Sequence, residues 1–482
     1  LEATARAAPG TIEELLGREI FCYADVPYRI APYAEIVADP RHTIGFDHER
    51  AARIAERVAA GGTDGKLLRD RAGAVHHAGL LEKLLVPALA KLSNLVPDGG
   101  IWMNTQRPEW NDANNALVGH GVSMVTLFHL RRYLDFLARR LEPGGADVPV
   151  AREVVGWFRR LHAALLEHRP PAADRDVDDG ARRRLMDALG TAFSDYRAEL
   201  YARGFRGDRD PLPRSEVVAF CRTALEHLDH AVARNRREDG LYHAYNLLDF
   251  GPDGGGAGLR RLDEMLEGQV AALSSGVVGP AEAARLVEAL FASRLYRPDQ
   301  RSFMLYPETR LPAFLERNRV PDAPARAVPL LGALLEAGEA SLLSRDADGV
   351  VRFAGDLRSA RDVGAVLDRL AGQERWRAMV ERDRPAVLAL FESVFRHHAF
   401  TGRSGRMYAY EGLGCVYWHM VAKLLLAVQE VAQRAEAEGQ PGPVREALAR
   451  AYHRVRAGLG FEKTAAEYGA FPMDPYSHTP PG

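Results

Sequence analysis

Cysteine is scarce in this sequence, and neither one sign of charge nor a long apolar run dominates it. Its 482 residues include three cysteines, Cys22, Cys221 and Cys415, whose wide spacing matches neither a zinc motif nor a disulfide framework. An odd number leaves at least one thiol unpaired within the chain, which is typical of a reducing compartment, so we expect a cytoplasmic protein. Lys and Arg number 63 against 65 Asp and Glu, and this balance argues against a nucleic-acid partner. Without a run of ~20 apolar residues, we also expect no membrane span.

Helical periodicity is the main pattern that is present. Apolar residues recur at spacings of three and four from Asp47 onward, again over 77–95 and 114–140, and in ten further runs between 150 and 457. Strand signals are rare, and only Val350 to Phe353 is predicted as half of a short hairpin. The sequence therefore predicts an all-α fold of about twelve or thirteen helices joined by long functional loops.

Six loops between the predicted helices combine aromatic residues with Arg, Asn, His and carboxylates. Aromatic faces stack on pyranose rings, and the polar groups bind sugar hydroxyls, so this composition indicates a carbohydrate cleft. Tyr245 and Arg301 lie in two of these loops and are candidate substrate-binding residues. The alternative is that these are ordinary polar connections between helices.

One loop, at 104–115, carries two carboxylates around an indole. Glu109 and Asp112 flank Trp110, and a carboxyl beside an indole and a second carboxylate tends to keep its proton near neutral pH. Asp112 is therefore a candidate general acid. The alternative is that Asp112 is a helix N-cap and Glu109 a surface residue. The neighbouring candidate substrate-binding residues are Arg107, Trp110, Asn111 and Asn115.

A second loop, at 400–412, precedes an apolar helix and contains Thr401, Gly402 and Arg403. Free backbone N–H groups at a helix start, together with guanidinium groups, are suited to an oxyanion or a phosphate. His398 comes just before this loop and is a candidate anion ligand, and Glu411 is another candidate carboxylate. The alternatives are a plain Gly/Ser connection and an ordinary first-turn glutamate.

No metal motif accompanies these loops. The histidines show neither a His-x-x-x-His nor a His-Glu-x-x-His spacing, so we expect no metal and no organic cofactor.

The two loops together resemble a known family. The segment EWNDANN at 109–115 is similar to the Asp-Trp-Asn-Asp-Gly-Met-Asn motif of the cellobiose phosphorylase family of inverting glycoside phosphorylases. The segment TGRSGRMY at 401–408 resembles that family's Thr-Gly-Ser-Ala-Gly-Trp-Met-Tyr loop. The resemblance implies an (α/α)6 toroid, which we expect over 46–460, with an N-terminal segment at 1–45 and a C-terminal loop segment at 461–482. Two departures are Glu109, where the family has Asp, and Arg406, where it has an aromatic residue.

The resemblance also implies roles for single residues. Asp112 corresponds to the general acid, Glu109 to a carboxylate of the sugar subsite, and Thr401 and Gly402 to phosphate ligands. Tyr408 falls at the end of the phosphate loop and is a candidate substrate-binding residue.

The predicted function is therefore cleavage of a glycosidic bond with inversion, either by phosphate or by water. Phosphorolysis needs no protein base, whereas a hydrolase needs a second carboxylate ~6.5–9.5 Å from the acid, for which Glu411 is the first candidate. The alternative is a non-catalytic carbohydrate-binding or assembly domain. The expected partners are an oligosaccharide, inorganic phosphate as a co-substrate, and either other domains of a longer chain or a second copy. Because the sequence starts at Leu1 rather than Met, we expect a piece of a longer protein.

Overall fold

A computed structural model describes residues 1–105, 117, 119–251, 254–307, 312–395 and 418–464. The chain divides into two compact units, one formed by Leu1–Pro307 with Leu413–Gly482 and the other by Glu308–Gly412. The domain boundaries predicted at 45 and 460 stay predictions.

The helices of the described residues are α1 (Glu2–Ala7), α2 (Thr11–Leu15), α3 (Tyr33–Ala38), α4 (His48–Gly61), α5 (Leu80–Leu92), α6 (Met124–Leu141), α7 (Arg152–Glu167), α8 (Asp179–Arg203), α9 (Arg214–Arg234), α10 (Leu266–Ser274), α11 (Pro280–Ala292), α12 (Phe314–Arg317), α13 (Asp322–Ala327), α14 (Pro329–Glu336), α15 (Ala360–Ala371), α16 (Glu374–Phe395), α17 (Trp418–Ala437) and α18 (Gly442–Arg456). The strands are β1 (Phe21–Cys22), β2 (Tyr28–Ile30), β3 (Ile44–Phe46), β4 (His77–Ala78), β5 (Leu95–Val96), β6 (Gly100–Trp102), β7 (Gly121–Ser123), β8 (Val148–Ala151), β9 (Arg209–Leu212), β10 (Tyr245–Asp249), β11 (Gly258–Arg261), β12 (Tyr296–Arg297), β13 (Ser302–Phe303), β14 (Leu343–Arg345) and β15 (Val351–Phe353).

The prediction of an all-α fold is wrong, because the protein is a mixed α/β structure in which 57% of the described residues are helical and 13% are in strands. Five strands form one antiparallel sheet in the order β11-β10-β7-β6-β5. Ser123 of β7 lies opposite Ile101 on one side and Tyr245 on the other. These strands have two to five residues, too few for a recognisable period-2 alternation, and the sheet forms from segments distant in sequence.

Helix α6 shows why the long helices could be predicted from the sequence and why the position of a helix end could not. The Ser123 side chain accepts a hydrogen bond from the Thr126 N–H at 3.0 Å, which caps the helix at its observed start. Leu127, Leu130 and Leu134 then recur at helical spacing and are buried. The predicted helix began at residue 114, but residues 121–123 form β7 instead.

Both faces of the five-stranded sheet are covered by apolar residues. Trp102, Val122 and Leu248 pack on one face with Ile36 of α3 and Met186 of α8. The other face belongs to the main core of the first unit. Its largest fully buried side chains include Phe128, Trp157, Phe158 and Phe220. Strands β5 and β6 are buried on both sides, which explains why they read as short apolar segments rather than as alternating ones.

The turn between β5 and β6 is held by a buried polar cluster. Asp98 has a φ of 61° and is 1% exposed, and its carboxylate lies 2.8 Å from Nδ1 of His230. Asn235 donates to the Asp98 carbonyl at 2.8 Å, and Arg182 donates to the Pro97 carbonyl at 2.8 Å. Because these partners come from α8 and α9, the cluster fixes the sheet against the helices.

The second unit has a core of its own, which includes Leu331, Phe353, Trp376 and Phe391. The hairpin predicted at 350–353 is confirmed, since β15 pairs antiparallel with β14. Buried Asn318 fixes this hairpin, accepting from the Phe353 N–H at 2.9 Å and donating to the Phe353 carbonyl at 2.8 Å.

Within the described parts of the chain, none of the helices combines the length and the apolar character that crossing a membrane requires.

Candidate functional site

Two of the predicted site residues, Tyr245 and Arg301, lie in the described structure. The others fall in 106–116 and 396–417, outside the described residues. These are Arg107, Glu109, Trp110, Asn111, Asp112, Asn115, His398, Thr401, Gly402, Arg403, Tyr408 and Glu411.

The described chain fixes the two ends of the loop that carries Glu109 and Asp112. The Met103 N–H donates to the Gly121 carbonyl, and the Gly119 N–H donates to the Met103 carbonyl, both at 2.9 Å. The Trp102 indole N–H also donates to the Gly119 carbonyl at 3.0 Å. The β6–β7 pair therefore continues to residues 103 and 119, at one end of the sheet.

A cavity of about 700 Å³ lies beside the first of these ends and includes Thr105 in its wall. Five arginines line it, and we call it the arginine cavity. They are Arg50, Arg53, Arg57, Arg69 and Arg71. Apolar and aromatic side chains, including Tyr28, Tyr201 and Phe205, form other parts of the wall. A cavity of this size with a few polar groups on an apolar wall has the dimensions of a small-molecule site.

One acidic residue organises part of this wall. Asp25 is 8% exposed and lies between two guanidinium groups: its Oδ1 accepts from Arg50 Nε at 2.6 Å, and its Oδ2 accepts from Arg57 Nη2 at 2.5 Å. A single carboxylate neutralises one of the two positive charges. The sequence shows arginines at 50, 53 and 57, a helical spacing that places them on one face of α4. Such a charged face is typical of a helix surface exposed to solvent, so it did not indicate a site.

Tyr245 lies at the other end of β7 from the Asp112 loop and is 3% exposed. Its hydroxyl donates to Oε2 of Glu267 at 2.9 Å. Burial raises the pKa of the Glu267 carboxyl above its ordinary value of 4.5, although the Tyr245 hydrogen bond and the positive charge of Lys423 lower it. Glu267 is thus a partly buried carboxyl whose pKa is raised by its burial.

The position of Glu267 makes it a candidate that sequence reasoning missed. It is in the first turn of α10, and the Lys423 that acts on it is in the second turn of α17, shortly after the predicted phosphate loop. The sequence offered one signal, a glutamate that is the single charged residue from Met265 to Val270.

Arg301 lies in the turn between β12 and β13, where its φ is 48°. Its Nη2 donates to the Glu462 carbonyl at 3.0 Å, so the side chain links this turn to the chain beyond α18. In the same turn Asp299 accepts from Arg297 at 2.6 Å, and both side chains are at least one-third exposed. The ion pair between Arg297 and Asp299 is therefore exposed to solvent and not buried.

Comparison with known proteins gives one informative match. Residues 311–398 match GH149 phosphorylase insertion domain 2. The match lies within the second compact unit and supports a glycoside phosphorylase, an enzyme class that acts on carbohydrates. It indicates this broader class and not the cellobiose phosphorylase family in particular. No curated protein sequence matches the chain.

Proposed function

We propose that this chain belongs to an inverting glycoside phosphorylase that cleaves an oligosaccharide with inorganic phosphate. The observation that carries the proposal is the match of residues 311–398 to a phosphorylase insertion domain. It is supported independently by the segments at 109–115 and 401–408, which resemble the acid and phosphate loops of inverting phosphorylases. The match to a phosphorylase domain favours phosphate over water as the attacking group.

The proposed reaction has one proton donor and one nucleophile. Protonated Asp112 gives its proton to the glycosidic oxygen as the bond from that oxygen to the anomeric carbon breaks. A phosphate oxygen forms the new bond to the anomeric carbon from the opposite face. The products are a shortened saccharide with a free hydroxyl and a sugar 1-phosphate of inverted configuration. Phosphate supplies the nucleophilic oxygen already ionised, so no protein base is required.

The remaining candidate residues fall into two groups by role. Thr401, Gly402, Arg403 and His398 hold the phosphate through N–H and O–H donors and positive charge. The saccharide is held by side chains that stack on or hydrogen-bond to the sugar rings, which are Glu109, Arg107, Trp110, Asn111, Asn115, Arg301 and Tyr408. Tyr245 is 3% exposed and bonded to Glu267, which argues against a direct contact with the sugar. Glu411 is the residue that would activate water if the enzyme were a hydrolase.

The test is incubation with a panel of oligosaccharides, with and without phosphate, with detection of sugar 1-phosphate by ³¹P NMR. We expect a sugar 1-phosphate with at least one oligosaccharide, formed only when phosphate is present, and its anomeric configuration should be opposite to that of the cleaved bond. Release of reducing sugar without any need for phosphate would contradict phosphorolysis and favour the hydrolase.

A further inference from the structure

The arginine cavity takes no part in the proton and phosphate transfers proposed above. Its five arginines face two aspartates in the wall, Asp25 and Asp70. Asp25 is already bound by Arg50 and Arg57, and Asp70 Oδ1 accepts from the Ala74 N–H at 3.0 Å. The wall therefore carries an excess of positive charge that its own carboxylates do not neutralise.

Two of the arginines supply most of this excess. Arg69 Nη1 donates to the Gly73 carbonyl at 2.9 Å, and Arg71 Nε donates to the Arg203 carbonyl at 2.8 Å. Across the described ranges, neither guanidinium forms an ion pair with a carboxylate. A guanidinium has five N–H donors, so each retains donors and a full charge for a ligand. The bonds to backbone carbonyls hold both groups in place before any ligand arrives.

A third arginine adds charge at a more exposed position. Arg53 is on α4, between Arg50 and Arg57 in sequence, and its side chain is 59% exposed. Its ion pair with Glu49 is long, at 3.7 Å, and Glu49 is 90% exposed. Such a solvent-exposed pair neutralises little of the charge that a ligand in the cavity would experience.

The uncharged part of the wall suits a sugar ring. The Tyr201 hydroxyl accepts a hydrogen bond from the Ile30 N–H at 3.1 Å, which fixes the phenol at the cavity. Phe205 is 3% exposed and stacks on His76, with ring centroids 4.0 Å apart, so it supports the wall from behind. Tyr28 also lines the cavity and is 38% exposed, and a phenol beside guanidinium groups forms a surface for a ligand that has both a ring and an anionic substituent.

The cavity is also close to the proposed acid along the chain. Thr105 lines it, and Asp112 follows seven residues later. Seven extended residues span at most about 25 Å, which sets an upper limit on the distance between Thr105 and Asp112.

We propose that the arginine cavity binds an anionic saccharide, whose sugar carries a carboxylate or a phosphate group in addition to its hydroxyls. This inference rests on the proposed function, because it assigns the substrate class of the same enzyme. Carboxylate and phosphate share the pair of anionic oxygens that a guanidinium binds through two parallel hydrogen bonds.

The test is isothermal titration of the whole protein with glucose, glucuronate, glucose 6-phosphate and inorganic phosphate. We expect at least one of the two anionic sugars to bind about tenfold or more tightly than glucose, with affinity that falls as sodium chloride is raised. Preference for glucuronate would identify a carboxylate as the substituent, and preference for glucose 6-phosphate a phosphate. Equal binding of all three sugars, or binding of inorganic phosphate as tight as that of glucose 6-phosphate, would overturn the proposal.

Variants locate the binding in this cavity. The double variant Arg69→Gln/Arg71→Gln should weaken binding of the anionic sugar tenfold or more and leave binding of glucose unchanged. Arg53→Gln breaks no hydrogen bond to the backbone and should weaken it severalfold without a change in Tm. The matched control is Arg285→Gln, which removes an exposed arginine of α11 outside the cavity wall. Unchanged binding in the double variant and in Arg53→Gln would overturn the proposal.

The two proposals fail in distinguishable ways. Titration requires no turnover, so it reports binding of the anionic sugar whether or not the chain is a phosphorylase. If the anionic sugar binds through the arginines but no sugar 1-phosphate is formed, the proposal of a phosphorylase is contradicted. The proposal of an anionic ligand is not affected by that result. The wild type and the double variant could instead form sugar 1-phosphate from neutral oligosaccharides at equal rates. That result would contradict the proposal of an anionic substrate and would leave the proposal of a phosphorylase standing.

Discussion

The hydroxyl of Tyr245 donates a hydrogen bond of 2.9 Å to Oε2 of Glu267, joining the five-stranded sheet to the first turn of α10. Burial raises the pKa of Glu267, so this contact holds a carboxyl that keeps its proton to higher pH than an exposed one. A protonated carboxyl can still accept from the Tyr245 hydroxyl. The contribution of Glu267 to the stability of the protein should therefore depend on pH, and this dependence can be measured.

Glu267→Gln should make thermal stability less dependent on pH. The carboxyl of the unfolded chain titrates near 4.5, and that of the folded chain titrates above it. The folded state therefore binds more protons in this window, and the contribution to stability, complete below about pH 4.5, declines as pH rises through the folded pKa. We expect the apparent Tm of the variant, relative to wild type, to increase from pH 4.5 to pH 8. Glu238→Gln, at an exposed glutamate, should show no such trend, and a constant difference for Glu267→Gln would contradict the assignment.

Asp112→Asn should abolish most of the phosphorolysis. An amide cannot donate a proton to the leaving oxygen, and loss of a general acid lowers kcat by about 10²–10⁴-fold. The measurement is the rate of sugar 1-phosphate formation, together with Tm to show that the fold is intact. Asp147→Asn, at an exposed aspartate before β8, is the control. If wild type never turns over an oligosaccharide and Asp112→Asn binds one equally well, the chain is a carbohydrate-binding domain instead.

Glu82→Leu should destabilise the first unit strongly. Glu82 is fully buried, accepts from the Ala151 N–H at 2.8 Å, and lies 3.3 Å from the Tyr23 hydroxyl and 3.2 Å from His76 Nε2. Leucine would leave these buried polar groups without a partner, at a cost of about 3 kcal/mol in the free energy of unfolding. Urea denaturation measures this cost. Glu82→Gln keeps an acceptor for Ala151 and should lose less; equal losses in both variants would show that the hydrogen bonds are not the cause.

Residues 308–412 should fold as an isolated fragment. The unit has its own apolar core, and the polar groups of its hairpin are satisfied by Asn318 within the same unit. We expect a helical circular dichroism spectrum and a cooperative thermal transition. Phe391→Ala should destabilise the fragment by about 3–5 kcal/mol through the cavity it creates. Glu381→Ala, at an exposed position of the same helix, should not, and a fragment without any cooperative transition would contradict the prediction.

The long helices could be predicted because their period repeats over many residues. The helix predicted at 150–168 is observed at Arg152–Glu167, and that predicted at 374–396 at Glu374–Phe395. Strands of two to five residues offer no comparable pattern, so the sheet was missed. The arginine cavity was missed for another reason. Arg50 and the pair Arg69 and Arg71 come from two separate segments, and their local sequence is that of any solvated surface.

The sequence by itself determined the helices and the hairpin at 350–353, because each depends on neighbours a few residues apart. It also predicts loops around Asp112 and Thr401 whose residue types suit acid catalysis and anion binding. Tertiary structure alone decided the five-stranded sheet, the contact of Tyr245 with Glu267 and the clustering of arginines around Asp25. Each of these joins residues from separate segments of the chain, and local periodicity carries no information about which distant segments pair.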